Sequence, residues 1–193
     1  TRDKDISETK GFPIEMNSRD KLNDFQNNVI WVGHSTILLN YNDLTILTDP
    51  QFYHRASPFH FFGPKRVTPV PFKISDLPEV DVVLISHNHY DHLDEKSIKK
   101  LVELQPGIKY LVPLGLKGLL KKWGVQSVEE LDWWQAIDFC NRLSLREGLP
   151  VAYEWSGAAL RCRFDCSGYR LPTEAEWEYC ARAGQDFKFS GSN

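Results

Sequence analysis

The 193-residue sequence lacks a long apolar run and lacks an excess of positive charge. No stretch approaches the roughly 18 consecutive apolar residues that indicate a membrane-spanning helix. The polar start TRDKDISETK does not have the pattern of a signal peptide. The formal net charge is −3, which provides no positive field for nucleic acid. We therefore expect a cytoplasmic chain without a transmembrane segment and without nucleic acid as a partner.

Cysteine and histidine are each absent from a large part of the chain. The first of the four cysteines is Cys140, and the last of the six histidines is His92. Cys162 and Cys166 have the spacing of half a zinc site or of a disulfide, but no second pair or histidine follows them. Free thiols are the expectation in a reducing compartment. The separation of these two residue types predicts two parts with different chemistry.

The histidine-containing part alternates strands and helices. After a polar arm over residues 1–28, short apolar runs around the turn NYND predict three strands. A loop rich in proline and aromatic residues follows over 51–78, and an apolar strand over 81–86. Asp94 is a suitable N-cap for a helix to Leu104. Three later segments predict a strand, a helix and a strand in turn: KYLVP, residues 115–123 and SVEEL. This alternation is typical of an α/β fold.

The C-terminal third predicts two helices with an irregular stretch between them. QAIDFCNRLSLREG has helical spacing of its apolar residues and stops at Gly148. An irregular stretch that contains glycine, cysteine and arginine follows. In PTEAEWEYCARAG, Thr173 and Glu176 have the spacing of a capping box, which predicts a helix that ends at Gly184.

The segment ISHNHYDHLD, residues 85–94, contains three histidines and two aspartates at the end of the apolar strand. Side chains two residues apart in an extended segment point the same way, so His87 and His89 begin about 6 to 7 Å apart and can bind one ion. Asp91 and His92 follow, where the chain turns, and can face a second ion. Two ions about 3.5 to 4 Å apart can hold a bridging hydroxide near neutral pH. This ligand set suits zinc, with iron or manganese as alternatives in the second position.

Four segments together resemble one family of hydrolases: WVGHSTILLN, LTILTDPQF, RASPFHFFGPKR and ISHNHYDHLD. They are similar to the metallo-β-lactamase-fold hydrolases, in particular to the branch of the N-acyl-phosphatidylethanolamine-hydrolysing phospholipase D. The resemblance covers residues 29–134 and implies one half of an αββα fold. It implies that His87 and His89 bind one zinc ion and that Asp91 and His92 bind a second. The hydroxide between the ions would then attack a phosphodiester or a related ester.

The same resemblance implies supporting residues around the metal ions. His34 and Asp49 would lie beside the ligands and orient them, although a strand-end histidine and a turn-forming aspartate are equally compatible with the sequence. Arg55, Lys65 and Arg66 would lie in a loop at the substrate entrance, where they could bind a small or lipid-like anionic ester. The aromatic residues of that loop could equally be ordinary packing.

The resemblance also implies ligands that these residues do not supply. The family completes its two-metal site with another histidine, a bridging aspartate and a last histidine, whereas no histidine follows His92. Zinc is held firmly by three or four protein ligands, and each ion here would have two. Weak or partial occupancy by zinc is therefore expected. The exposed apolar surface of an incomplete fold would favour self-association.

Residues 135–193 resemble a different family. AIDFCNRLSLREGLP and GYRLPTEAEWEY are similar to the sulfatase-modifying factors, to which the formylglycine-generating enzyme belongs, and imply a fragment of a C-type-lectin-like α+β fold. The cysteine pair that performs the oxidation in that family would lie beyond Asn193, so the four cysteines present are not assigned that role. The two segments meet at WWQ without a Gly-, Ser- or Pro-rich linker. This favours a recombination, an assembly join or a truncated gene over two independent domains.

Three functions are compatible with these features. The first is a metal-dependent hydrolase of the phospholipase D-like branch whose metal site is incomplete in this chain. The second is a non-catalytic fusion or truncated product that binds metal weakly at most. The third is a protein-modifying factor of the formylglycine-generating type, which depends on the C-terminal segment alone and lacks the cysteine pair.

Overall fold

A computed structural model of the chain describes residues 22, 27–57, 61, 63–66 and 69–182. The chain divides into two compact units, Thr1–Leu131 and Asp132–Asn193. The arm predicted over residues 1–28 lies almost entirely outside the described residues. Among the helices in the described part, none is long and apolar enough to cross a membrane.

The first unit contains a six-stranded sheet whose strands follow one another in chain order. The first three are antiparallel neighbours: β1 (Val29–Gly33), β2 (Thr36–Tyr41) and β3 (Leu44–Thr48). The sheet continues in parallel with β4 (Val82–Leu84), β5 (Lys109–Pro113) and β6 (Ser127–Leu131). Parallel neighbours need a crossover connection. Helices α1 (Glu95–Leu104) and α2 (Lys117–Lys122) lie in the last two connections. The predicted α/β arrangement is confirmed.

Helix α1 begins where the sequence predicted. The side chain of Asp94 accepts a hydrogen bond from the backbone nitrogen of Ser97 at 3.0 Å and another from its hydroxyl at 2.6 Å. One backbone N–H group of the first turn is thereby satisfied, as an N-cap requires. The cap also fixes where the chain leaves the histidine segment, because Asp94 is the last residue of ISHNHYDHLD.

One face of the sheet is buried and the other is open. Five side chains in register across β2 to β6 are at most 4% exposed: Leu38, Leu47, Val83, Tyr110 and Val128. They belong to one core cluster with Ile98 and Leu101 of α1 and Leu120 of α2. Because side chains alternate along a strand, the neighbouring positions form the opposite face. This open sheet face carries the exposed charged residues Lys109 and Glu129 and a larger set of partly or fully exposed apolar residues: Val29, Trp31, Leu39, Ile46, Val82, Leu84, Leu111 and Leu131.

The second unit is small. It consists of α3 (Trp133–Arg146), the antiparallel hairpin β7 (Tyr153–Ser156) and β8 (Ala159–Cys162), and α4 (Glu174–Arg182). Its core cluster contains four buried residues, namely Ile137, Cys140, Ala152 and Tyr153. All four cysteines are free. The capping box at the start of α4 is confirmed, with Thr173 and Glu176 each bonding the backbone nitrogen of the other.

The hairpin β7–β8 corrects the prediction of an irregular stretch after Gly148. Its turn contains Gly157, whose φ of +63° lies in the left-handed region that glycine adopts without steric cost. Glycine, arginine and cysteine in this segment indicated irregular structure. The hairpin nevertheless forms because Tyr153, at its start, is buried in the core of the unit.

Candidate metal centre

The histidine cluster lies at one edge of the sheet. Strands β3 and β4 are parallel, so their C-terminal ends meet at the same edge. Asp49 follows β3, and the histidine segment follows β4. The turn between β1 and β2, which contains His34, lies beside them because β2 pairs with β3. Three separate parts of the sequence are therefore brought together here.

Asp49 is the centre of the hydrogen-bond network at this edge. Its carboxylate is buried and accepts hydrogen bonds from the backbone nitrogen of Ser86 at 2.7 Å and from the Ser86 hydroxyl at 2.6 Å. It also lies 2.8 Å from Nδ1 of His92. The φ of Asp49 is +38°, in the left-handed region that aspartate and asparagine adopt more readily than most residues.

The contact with Asp49 determines how His92 can act. A carboxylate accepts hydrogen bonds, so Nδ1 of His92 carries the proton and Nε2 keeps its lone pair. Nε2 of His92 lies 3.6 Å from Oδ2 of Asp91. A histidine whose second ring nitrogen is held by a carboxylate is the usual arrangement of a metal ligand. The structure places Asp49 beside His92, and the role of Asp49 in orienting a metal ligand stays a prediction.

His87 and His89 form the second group in the cluster. Nε2 of His87 lies 3.0 Å from Nδ1 of His89, and the rings of His87 and His92 have centroids 3.9 Å apart. Partial burial, followed by the positive charges of His92 and His89, lowers the pKa of His87. A lower pKa favours the neutral imidazole, which is the form that binds metal. The four residues predicted as ligands are therefore adjacent, and their binding of a metal stays a prediction.

Asp91 is held between two histidines. Its Oδ2 lies 2.8 Å from Nε2 of His34. Desolvation alone would raise the pKa of Asp91, but a backbone hydrogen bond and the charges of His92 and His34 outweigh it, and the pKa is lowered. The carboxylate is therefore ionised at neutral pH, as a metal ligand must be.

Two further residues of this site were missed at the level of sequence. Ser86 contacts Asp49, Nδ1 of His87 at 2.9 Å and Nδ1 of His92 at 3.2 Å. Its position at the end of the strand, beside the first histidine, was a usable indication. The indole Nε1 of Trp31 donates a hydrogen bond to the backbone carbonyl of His34 at 2.8 Å. No sequence pattern indicates that contact.

In the loop that was predicted to bind substrate, Arg55 and Arg66 donate hydrogen bonds to backbone carbonyls. Arg55 donates from Nη1 to the carbonyl of Gly63 at 2.6 Å, and Arg55 forms an isolated antiparallel bridge with Lys65. Arg66 donates to the carbonyl of Gln51 at 2.6 Å and to that of Val32 at 3.1 Å. Burial lowers the pKa of Arg66. These contacts give both arginines a structural role, and binding of an anionic substrate by Arg55, Lys65 or Arg66 stays a prediction.

A groove of about 530 Å³ lies away from this cluster, at the end of the sheet where β4 and β5 begin. Its lining contains no histidine or cysteine, and includes Ile74, Leu77, Val80, Asp81, Gln105 and Ile108. Its polar groups are used within the fold, since Gln105 bonds the backbone of Val80 and Pro78. The histidine cluster is therefore the stronger candidate for chemistry.

Comparison with known proteins identifies relatives of part of the chain. A family model described as Beta-lactamase superfamily domain matches residues 45–175. N-acyl-phosphatidylethanolamine-hydrolyzing phospholipase D 1 of Caenorhabditis elegans is 43% identical over 114 residues, which are 56% of this chain and 32% of that protein. The mitochondrial N-acyl-phosphatidylethanolamine-hydrolyzing phospholipase D of Saccharomyces cerevisiae is 35% identical over 135 residues, which are 67% of this chain and 28% of that protein. The chain thus spans about a third of the length of these curated relatives.

A solved structure, that of a possible metal-dependent hydrolase from Veillonella parvula, is also similar. It is 22% identical, with a TM-score of 0.45, and the similarity covers 56% of this chain and 45% of that one. None of these similarities shows a sulfatase-modifying factor or a C-type-lectin-like fragment in residues 135–193.

Proposed function

The chain belongs to the Beta-lactamase superfamily domain family, and from this membership we propose that it provides metal ligands for the hydrolysis of a phosphodiester or related ester. His87 and His89 would hold one ion. Asp91 and His92 would hold another. A divalent ion lowers the pKa of bound water towards neutrality, which is the chemistry that it would supply here.

The observation that supports this proposal most strongly is the orientation of His92. Asp49 holds Nδ1 at 2.8 Å, so that Nε2 keeps its lone pair and lies 3.6 Å from the carboxylate of Asp91. The pair His87 and His89 presents two ring nitrogens 3.0 Å apart. Two imidazole nitrogens at this distance attract each other only when a proton or a cation lies between them. The donor set of nitrogen and carboxylate oxygen fits zinc, and also iron or manganese.

The proposed substrate class comes from the relatives. Two of them are named as N-acyl-phosphatidylethanolamine-hydrolyzing phospholipases D, so a lipid-like anionic phosphodiester is the substrate class that we propose. Lys65 is an exposed cation of the neighbouring loop and could attract such a substrate. For residues 135–193 we keep the proposal of a fragment that is similar to the sulfatase-modifying factors. The family match, which extends to residue 175, includes most of that segment.

Metal content provides the direct test. We expect the purified chain to retain zinc at fewer than two equivalents after gel filtration, because no histidine follows His92 to complete two full ligand sets. His87→Ala combined with His89→Ala should lower the total further. Metal content by inductively coupled plasma mass spectrometry checks both expectations. A wild-type chain that retains no zinc, iron or manganese would refute the proposed function.

Hydrolysis is expected to be slow for this chain alone. Positioning of the nucleophile contributes much of an enzyme's rate, and ions with two or three protein ligands are poorly positioned. Release of p-nitrophenol from bis-p-nitrophenyl phosphate should be close to background and dependent on added zinc or manganese. Asp91→Ala and His92→Ala are the matched variants. A metal-dependent rate that both variants lose supports the hydrolase, whereas equal rates in all three chains support the non-catalytic alternative.

A further inference from the structure

We infer that His34 is a metal ligand, and that His34, Asp91 and His92 form a one-metal site with higher affinity than the pair of His87 and His89. The inference rests on the proposed function, since it assigns ligands within the same cluster. It differs from the expectation for these residues, which gave Asp91 and His92 an ion with two ligands and gave His34 only a supporting role.

The ligand atoms of the triad lie close enough to one another to bind one ion: the contact between His92 and Asp91 already has the spacing of two zinc ligands, and the shorter contact between His34 and Asp91 is a hydrogen bond that an ion would replace. Nε2 of His34 lies 2.8 Å from Oδ2 of Asp91, and Nε2 of His92 lies 3.6 Å from the same oxygen. Ligand atoms about 2.0 to 2.2 Å from one zinc in tetrahedral geometry lie about 3.3 to 3.6 Å apart. In the described part of the chain, this is the one group of three such residues whose ligand atoms all lie within 4.8 Å of one another.

The ligand atoms of the triad also converge. His92 presents Nε2 because Asp49 holds its Nδ1, and Asp91 is ionised. His34 directs Nε2 at Asp91, and the hydrogen of that bond occupies the place between two ligand atoms that an ion would take. Binding of a divalent cation would release this proton from His34, as is usual when metal binds a protonated site.

The backbone conformation of His34 directs its imidazole towards Asp91. The φ of His34 is +51°, in the left-handed region that residues other than glycine adopt rarely. The indole of Trp31 secures that conformation through its hydrogen bond to the His34 carbonyl. The imidazole is thereby directed to Asp91, a residue 57 positions later in the chain.

The competing pair has fewer ligands. His87 and His89 offer one ring nitrogen each, and these two atoms lie 3.0 Å apart. A zinc ion is held firmly by three or four protein ligands. The first equivalent of metal should therefore bind to the triad, and the pair should fill later and more weakly.

The experiment is a zinc titration of the full chain and four variants, with affinity measured by competition with a chromophoric chelator. His34→Ala removes the ligand. His34→Gln keeps a hydrogen-bond donor for Asp91 but has no imidazole, so it separates a ligand from a positioning residue. The double variant His87→Ala/His89→Ala removes the pair. His54→Ala is the control, because His54 is an exposed histidine outside the cluster.

We expect His34→Ala and His34→Gln to weaken the first zinc equivalent by more than about 100-fold, beyond the about 10- to 100-fold cost of losing an outer hydrogen-bond partner. The double variant and the His54→Ala control should keep that equivalent. Ring nitrogen shifts by NMR should move first for His34 and His92. Wild-type affinity in His34→Gln, or loss of the first equivalent in the double variant alone, would overturn the inference and leave the proposed function standing. Absence of zinc binding by the wild-type chain would overturn both.

Discussion

Replacement of Asp49 by alanine is expected to abolish tight metal binding and to lower the free energy of unfolding by about 3 kcal/mol. The loss of stability follows because two groups of Ser86 and one ring nitrogen of His92 would lose their acceptor. Alanine is also strained at the φ of +38° that Asp49 adopts. The loss of metal binding follows because nothing would then fix the protonated nitrogen of His92. Chemical denaturation and zinc titration measure the two effects.

Asp49→Asn separates the two effects. Asparagine has the same shape and tolerates a left-handed conformation, so we expect it to cost only about 1 kcal/mol of stability. An amide nitrogen placed against His92 would donate to Nδ1, which moves the imidazole proton to Nε2 and blocks the ligand atom. Metal binding should therefore fall nearly as far as in Asp49→Ala.

Asp43→Ala is the matched control for these variants, because Asp43 also has a positive φ, of +63°, but lies exposed in the β2–β3 turn. It should leave zinc affinity unchanged. If Asp49→Asn binds zinc like the wild-type chain, then Asp49 does not determine the protonated nitrogen of His92.

Features determined by neighbouring residues were predictable from the sequence. The cap of α1 depends on Asp94 and Ser97, three residues apart, and the capping box of α4 depends on Thr173 and Glu176. The convergence of His87 and His89 likewise follows from their spacing of two in an extended segment. In each case the interacting groups lie two or three residues apart, so local geometry is sufficient.

Contacts between distant segments could not be predicted from spacing. Asp49 meets His92 across 43 positions, and His34 meets Asp91 across 57. Both contacts depend on the order of strands in the sheet and on the turn after β1. Residues alone left the role of His34 open between a strand-end residue and a supporting one. The inference of a third ligand depends on interatomic distances that only the fold provides.

The open sheet face is expected to make the chain self-associate. Six strands about 4.8 Å apart and five residues of about 3.3 Å each define a surface of roughly 400 Å². Mainly apolar side chains cover it, with Trp31 53% and Val29 65% exposed. A patch of this size lies within the range of about 300 to 600 Å² that the largest patch on a typical monomer covers, and such patches are often functional. The free chain should therefore form dimers or larger species as its concentration rises.

Leu39→Lys combined with Ile46→Glu should convert the chain to a monomer. Leu39 and Ile46 are directly opposite on β2 and β3, and both are half-buried on the open sheet face. The new side chains carry opposite charges across the strand pair, which favours retention of the sheet, while the charges disfavour burial against a second apolar surface. Sedimentation velocity over a range of concentrations measures the change.

The control exchanges an ion pair on helix α1, where Glu95 and Lys99 are 2.6 Å apart and exposed. Glu95→Lys with Lys99→Glu introduces the same number of charge changes away from the sheet, so it should associate like the wild-type chain. A wild-type chain that remains monomeric at all concentrations would show that the open sheet face does not drive association. Equal dissociation of both double variants would show that association does not depend on this apolar surface, because only the first variant alters it.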